Sequence, residues 1–164
     1  MTDAELVRRY GPGEKVEDVR ENHVVDYRSR CYFDSAQGVW LLADIYHNNN
    51  PPHMYVVGVK VSAQPLCKKP GTPKKPFQML ALKRGLAIGS SESEVLQQCG
   101  KPSRIDDSVA REKRDPRYQD IPGYGARFGK RALNYFPEGE DSLLMLSVQV
   151  TDGKVVTLWL NDSP

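Results

Sequence analysis

The side chains best suited to chemistry are few, and His47 and His53 come first. They bracket the stretch His47-Asn-Asn-Asn-Pro-Pro-His53, and His23 is the only other histidine. Imidazole is a common metal ligand and the usual general base near neutral pH. Two at the ends of one loop make residues 47–53 the place for a small-molecule or metal site, if there is one. No acidic ligand stands beside them to complete a set. Cys31, Cys67 and Cys99 have neither CxxC nor Cys/His spacing, which argues against zinc, and three cysteines allow at most one disulfide. A Cys–His nucleophile pair would have to join Cys31 or Cys67 to a histidine, and nothing local supports it. Gly129-Lys130 is followed by Arg131 where a phosphate loop needs Ser or Thr, and its glycine spacing is wrong. The expectation is a protein that is not an enzyme and holds no metal or cofactor.

Charge narrows the partners. The net charge of +2 is nearly balanced. Its basic features are the run Lys68 to Pro76, KKPGTPKKP, and the arginines of residues 104–131, which alternate with acids. The lysine run is short and has no interleaved aromatics, and the mixed signs of the second segment point to a solvated loop, so nucleic-acid binding through these loops is the weakest reading. No stretch approaches the roughly 20 apolar residues of a membrane span. Without the basic-then-apolar pattern of a signal peptide, the expectation is either a cytoplasmic protein or a mature chain.

The elements that must position any site are more legible. Ser91 and Glu94 form a capping box at the start of a helix that Gly100 and Pro102 end, with Val95, Leu96 and Cys99 on its apolar stripe. Cys99 there reads as a small buried hydrophobe. The same signals occur at Thr2 and Glu5, with Leu6, Val7 and Tyr10 as the stripe and Gly11-Pro12-Gly13 as the stop. The agreement continues downstream: Tyr32-Phe33 matches Tyr135-Phe136, Leu41, Ala43 and Ile45 match Leu144, Leu146 and Val148, and Val57, Val59 and Val61 match Val156, Leu158 and Leu160. A repeat that drifts only at loops is what duplication leaves behind.

The expected fold class is therefore α+β, two tandem helix-plus-antiparallel-sheet units of one helix and three strands. Residues 1–67 form the first unit, 68–78 a Lys/Pro-rich linker and 79–164 the second. Residues 14–26 read as a connection with a further helical turn, and 103–127 as a solvated loop.

Strand parity then sorts the faces. Val39, Leu41, Ala43 and Ile45, Tyr55, Val57, Val59 and Val61, and their counterparts point toward the helices. Trp40, Leu42, Asp44 and Tyr46 stand on the opposite face with Leu143, Met145, Ser147, Thr157 and Trp159. That face is too aromatic for one turned to water, and both tryptophans of the chain lie on it. Either a loop or the other unit covers it, or it binds a protein, since Trp, Tyr and Met are what interface centres contain.

A capped helix ending in Gly-Lys-Pro, then a gap, then three strands of which the last runs DGKVVTLWL, resembles the small outer-membrane assembly lipoprotein family BamE. Two such units in tandem look like the β-lactamase inhibitory protein fold. The resemblance implies one curved sheet with helices on the convex face and a concave face that grips a protein partner, whose identity it leaves open. Carried over by position, that face holds Trp40, Asp44, Tyr46, Thr157 and Trp159, with the 47–53 hairpin, Asn49 at its middle, projecting at the rim. The contact set expected is Trp40, Leu42, Asp44, Tyr46, Asn49, Met145, Thr157 and Trp159. The family's setting favours an extracytoplasmic location. Two departures stand out: the 47–53 loop has no acidic residue, and three cysteines cannot supply one disulfide per unit.

Overall fold

The structure is a computed structural model that describes residues 1–17, 28–49, 52–77, 85–106, 130–136 and 144–162. Both capping boxes form. Thr2 Oγ1 accepts from the Glu5 N–H and the Glu5 carboxylate from the Thr2 N–H at the start of α1 (Asp3–Tyr10); Ser91 and Glu94 repeat this at α2 (Glu92–Cys99). These bonds hold both glutamates below the usual carboxylate range. Helices of eight residues are not stable alone, so packing of Leu6 and Val95 must hold them.

The strands are β1 (Glu14–Glu17), β2 (Arg28–Asp34), β3 (Val39–Asn49), β4 (Pro52–Ser62), β5 (Arg104–Asp106), β6 (Arg131–Tyr135), β7 (Leu144–Thr151) and β8 (Lys154–Asp162). They make one curved antiparallel sheet in the order β1-β2-β3-β4-β8-β7-β6-β5. This corrects the α+β expectation of two helix-plus-three-strand units. The fold is β-rich: a single eight-stranded sheet dominates, and the two helices are short additions to it. Two strands were invisible to pattern reading. The first, β1, stands where the pattern predicts a connection with a helical turn, and β5 where it predicts a solvated loop. Edge strands of four and three residues are too short to show a period.

Equivalent residues nevertheless make equivalent bonds in the two halves. Tyr32 Oη donates to the carbonyl of the α1 cap, Gly11, at 2.9 Å, and Tyr135 Oη to that of the α2 cap, Gly100, at 3.3 Å. The Val56 N–H donates to the Met1 carbonyl and the Val155 N–H to the Ser90 carbonyl, stitching each helix start to an inner strand. Leu41 faces Tyr32 and Leu146 faces Tyr135, so Leu41 corresponds to Leu146 and not to Leu144 as the sequence match had it.

A bulge also corrects the face assignment. Asp44 pairs with Gly58 but Ile45 with Val56, leaving Val57 as the extra residue; Gln149 pairs with Thr157 but Val150 with Val155, leaving Val156. Beyond each bulge the alternation inverts. Met54 and Val56, rather than Tyr55 and Val57, pack on the α1 side, and Tyr55 is exposed.

Two apolar clusters fill the helix side. Leu6, Tyr32, Leu41, Ala43, Ile45 and Phe77 form one, and Leu86, Val95, Leu133, Val148, Val150, Val155 and Leu158 the other, against which Cys99, outside any disulfide, packs. The Lys/Pro-rich connection is less free than its composition suggests. Its lysines are exposed, but Gly71 bonds through its N–H and carbonyl to Cys31 and Phe33, and Phe77 ends in the core. A Cβ on Gly71 would lie 2.6 Å from the Gly13 backbone, and one on Gly13, whose φ is +61°, 2.6 Å from the Tyr32 ring, so this crossing requires two glycines.

Candidate functional site

Because both helices pack on one side, the other face of the sheet is covered by neither. Three cross-strand rows define it. One runs Cys31, Leu42, Lys60, Trp159, Ser147, Asn134, Arg104; the next runs Phe33, Trp40, Ser62, Thr157, Gln149, Ala132, Asp106; the third runs Ser29, Asp44, Gly58, Asn161, Met145. Residues directly opposite in such a ladder touch side by side. Strand pairing alone thus brings Trp40, Leu42 and Asp44 of β3 into one surface with Trp159, Thr157 and Met145 of the other half.

The surface has an enclosed polar middle and an aromatic border. Ser62 and Thr157 are fully buried with their hydroxyls 2.9 Å apart, and Ser147 and Gln149 are buried beside them. Trp40 is half-buried and tilted against Phe33, ring centroids 4.9 Å apart. Trp159 is half-buried with the Lys60 ammonium 4.4 Å from its ring centroid, a cation–π contact for a lysine that is itself only 8% exposed. Asp44 accepts from the Ser29 hydroxyl at 2.8 Å. On this face Gln149 Oε1, an acceptor, and Trp159 Nε1, a donor, are buried without a hydrogen-bond partner among the described residues. Since Gln149 pairs with Thr157 and Ser147 with Trp159, the two residues are diagonal neighbours on one face.

One end of the face is covered. Cys31 and Cys67 form a disulfide, and with Leu42 and Leu66 they make a small cluster that Trp40 and Val16 flank. Leu42 is consequently only 9% exposed and Thr157 0%, so these two support the surface from within. Trp40, Asp44, Tyr46, Met145 and Trp159 keep intermediate exposure. The Asn49 side chain and Leu143 lie outside the described residues. Pattern reading passed over Lys60, Phe33 and Gln149. Lys60 is the one formally charged side chain of β4, and that isolation is the signal the sequence offers for it.

The 47–53 stretch is not the loop it looked like. Strands β3 and β4 extend to Asn49 and from Pro52, and His47 pairs with Met54 while His53 pairs with Asn48, so the two histidines belong to successive pairs of a ladder. Among the described residues no group of three or more His, Cys, Asp or Glu could hold a metal ion, and no helix is long and apolar enough to cross a membrane. Of the basic elements, Arg8, Arg9 and Lys75 line a shallow cleft with Glu5, and Arg104 bonds to Asp106. The remaining arginines up to Arg127 lie outside the described residues. No protein-family model matches the chain, and no curated protein or solved structure matches it.

Proposed function

We propose that this chain is a non-catalytic protein-binding module whose contact surface is the helix-free face of the sheet, with Trp40, Asp44, Tyr46, Met145 and Trp159 as the contacting residues. One observation carries the reading: both tryptophans project from the face that neither helix covers, and both keep part of their surface in solvent. Aromatic side chains held by neighbours yet partly exposed are the common anchors of interfaces. A covalently closed Cys31–Cys67 bridge fits work in an oxidising compartment, in keeping with an inhibitor or an envelope assembly factor.

The test is capture of a partner from the source cell's envelope and secreted fractions by the immobilised chain. Trp40→Ala and Trp159→Ala should each remove the captured protein while leaving the far-ultraviolet circular dichroism and thermal midpoint within a few degrees. Leu96→Ala, on the exposed side of α2, should capture normally. Capture that survives both tryptophan changes would refute the reading.

A further inference from the structure

The helix side of the sheet holds a cleft that the binding face does not use. It encloses about 430 Å³ where the helices leave the β4–β8 junction uncovered. Its floor is the register pair Val61 and Leu158 with Leu41, and Phe77 and Ile88 form walls from either half. That volume falls within the roughly 300–1,000 Å³ of small-molecule pockets. It is about the space one turn of helix fills with its side chains, so a partner's helix or strand does not fit. None of the described residues lining it is ionisable, so a charged ligand would lose its hydration without compensation.

Gln37 supplies the one polar side chain among those lining residues, and its amide orientation is fixed. Nε2 donates to Asp34 Oδ2 and to the Phe77 carbonyl, while buried Asp34 also accepts from the N–H groups of Ala36, Gln37 and Phe77. Turning the amide over would set its oxygen against the carboxylate. Both amide hydrogens are thereby used, and Gln37 Oε1 is left as an acceptor to which no described residue donates.

We infer that this cleft binds a neutral, mainly apolar small molecule bearing one hydrogen-bond donor, a hydroxyl or N–H, which it places on Gln37 Oε1. The inference is independent of the protein-binding face. The experiment titrates the intact protein with 4-propylphenol, with its methyl ether 4-propylanisole and with 4-propylbenzoate, reading the methyl carbon–proton signals of Leu41, Val61 and Leu158. The phenol should shift them saturably, the ether should bind about fivefold more weakly for want of the donor, and the benzoate should leave them unmoved. Ala87→Phe, which fills the cleft from its rim, should abolish the phenol's effect with the thermal midpoint kept or raised; Val61→Phe serves if that variant does not fold. No shift with the phenol, or an undiminished shift in a folded filled variant, would overturn the site. Equal binding of phenol and ether would overturn the Gln37 assignment.

Discussion

The two halves share a backbone plan but are locked to different depths. In the first, Arg30 is buried and forms a two-point ion pair with Asp3 in the first turn of α1, donating also to the Pro12 carbonyl. In the second, Arg131 meets Glu92 in the first turn of α2 at 3.0 Å, but its side chain is 41% exposed. Tyr32 is fully buried, with Phe77 edge-on to its ring, and its bond to Gly11 is short; Tyr135 is half-buried with a longer bond to Gly100. The first half has a disulfide, whereas its counterpart of Cys31 in the second half is Asn134. Equal topology thus leaves unequal stability, because each helix is held by contacts that a few residues decide.

The largest expected effect comes from the disulfide. The bridge spans 36 residues, and opening a loop of that size by Cys31→Ser with Cys67→Ser should cost roughly 4 kcal/mol, read as a lower urea midpoint. Cys99→Ser should move that midpoint little. Next is the ion pair. Asp3→Ala strands a buried guanidinium and should cost about 3 kcal/mol, whereas Glu92→Ala releases a partly exposed pair and should cost about 1 kcal/mol. Equal losses would mean the halves are locked alike.

A smaller effect separates the tyrosines. Tyr32→Phe leaves the Gly11 carbonyl unpaired in a buried setting and should cost about 1–2 kcal/mol, with Tyr135→Phe costing about half as much. Burial pushes both phenols up from 10.0 to about 12. A folded value above the unfolded one means that the proton is held more tightly in the fold. The stability this adds is whole below about pH 10 and is lost as pH rises through 12. Wild-type protein should therefore lose stability more steeply over that window than Tyr32→Phe, which chemical denaturation at stepped pH would measure.

How much of this was readable from the chain depended on how local the signal was. Capping boxes are written within four residues, and both helices lie where Thr2–Glu5 and Ser91–Glu94 place them. Alternation placed the six longer strands and put Trp40 and Trp159 on one face. A bulge, by contrast, has no local signature: Val57 and Val156 look like any strand valine, yet they invert every side chain beyond them, and so Tyr55 was assigned to the wrong face. The fold class failed for a related reason. Edge strands β1 and β5 gain their identity only from pairing with β2 and β6, and β4 joins β8 across nearly a hundred residues of chain. The burial of Leu42 depended on Cys31 choosing Cys67, which spacing alone left open.

The account's central claim is that the tryptophan-bearing face is available to a partner. Acrylamide quenching of the single-tryptophan variants Trp40→Phe and Trp159→Phe tests it most directly, because each variant leaves one indole on that face. Ready quenching and emission shifted well to the red of a buried indole are expected for both. Blue-shifted emission resistant to acrylamide in both variants would show the face to be closed and would contradict the claim.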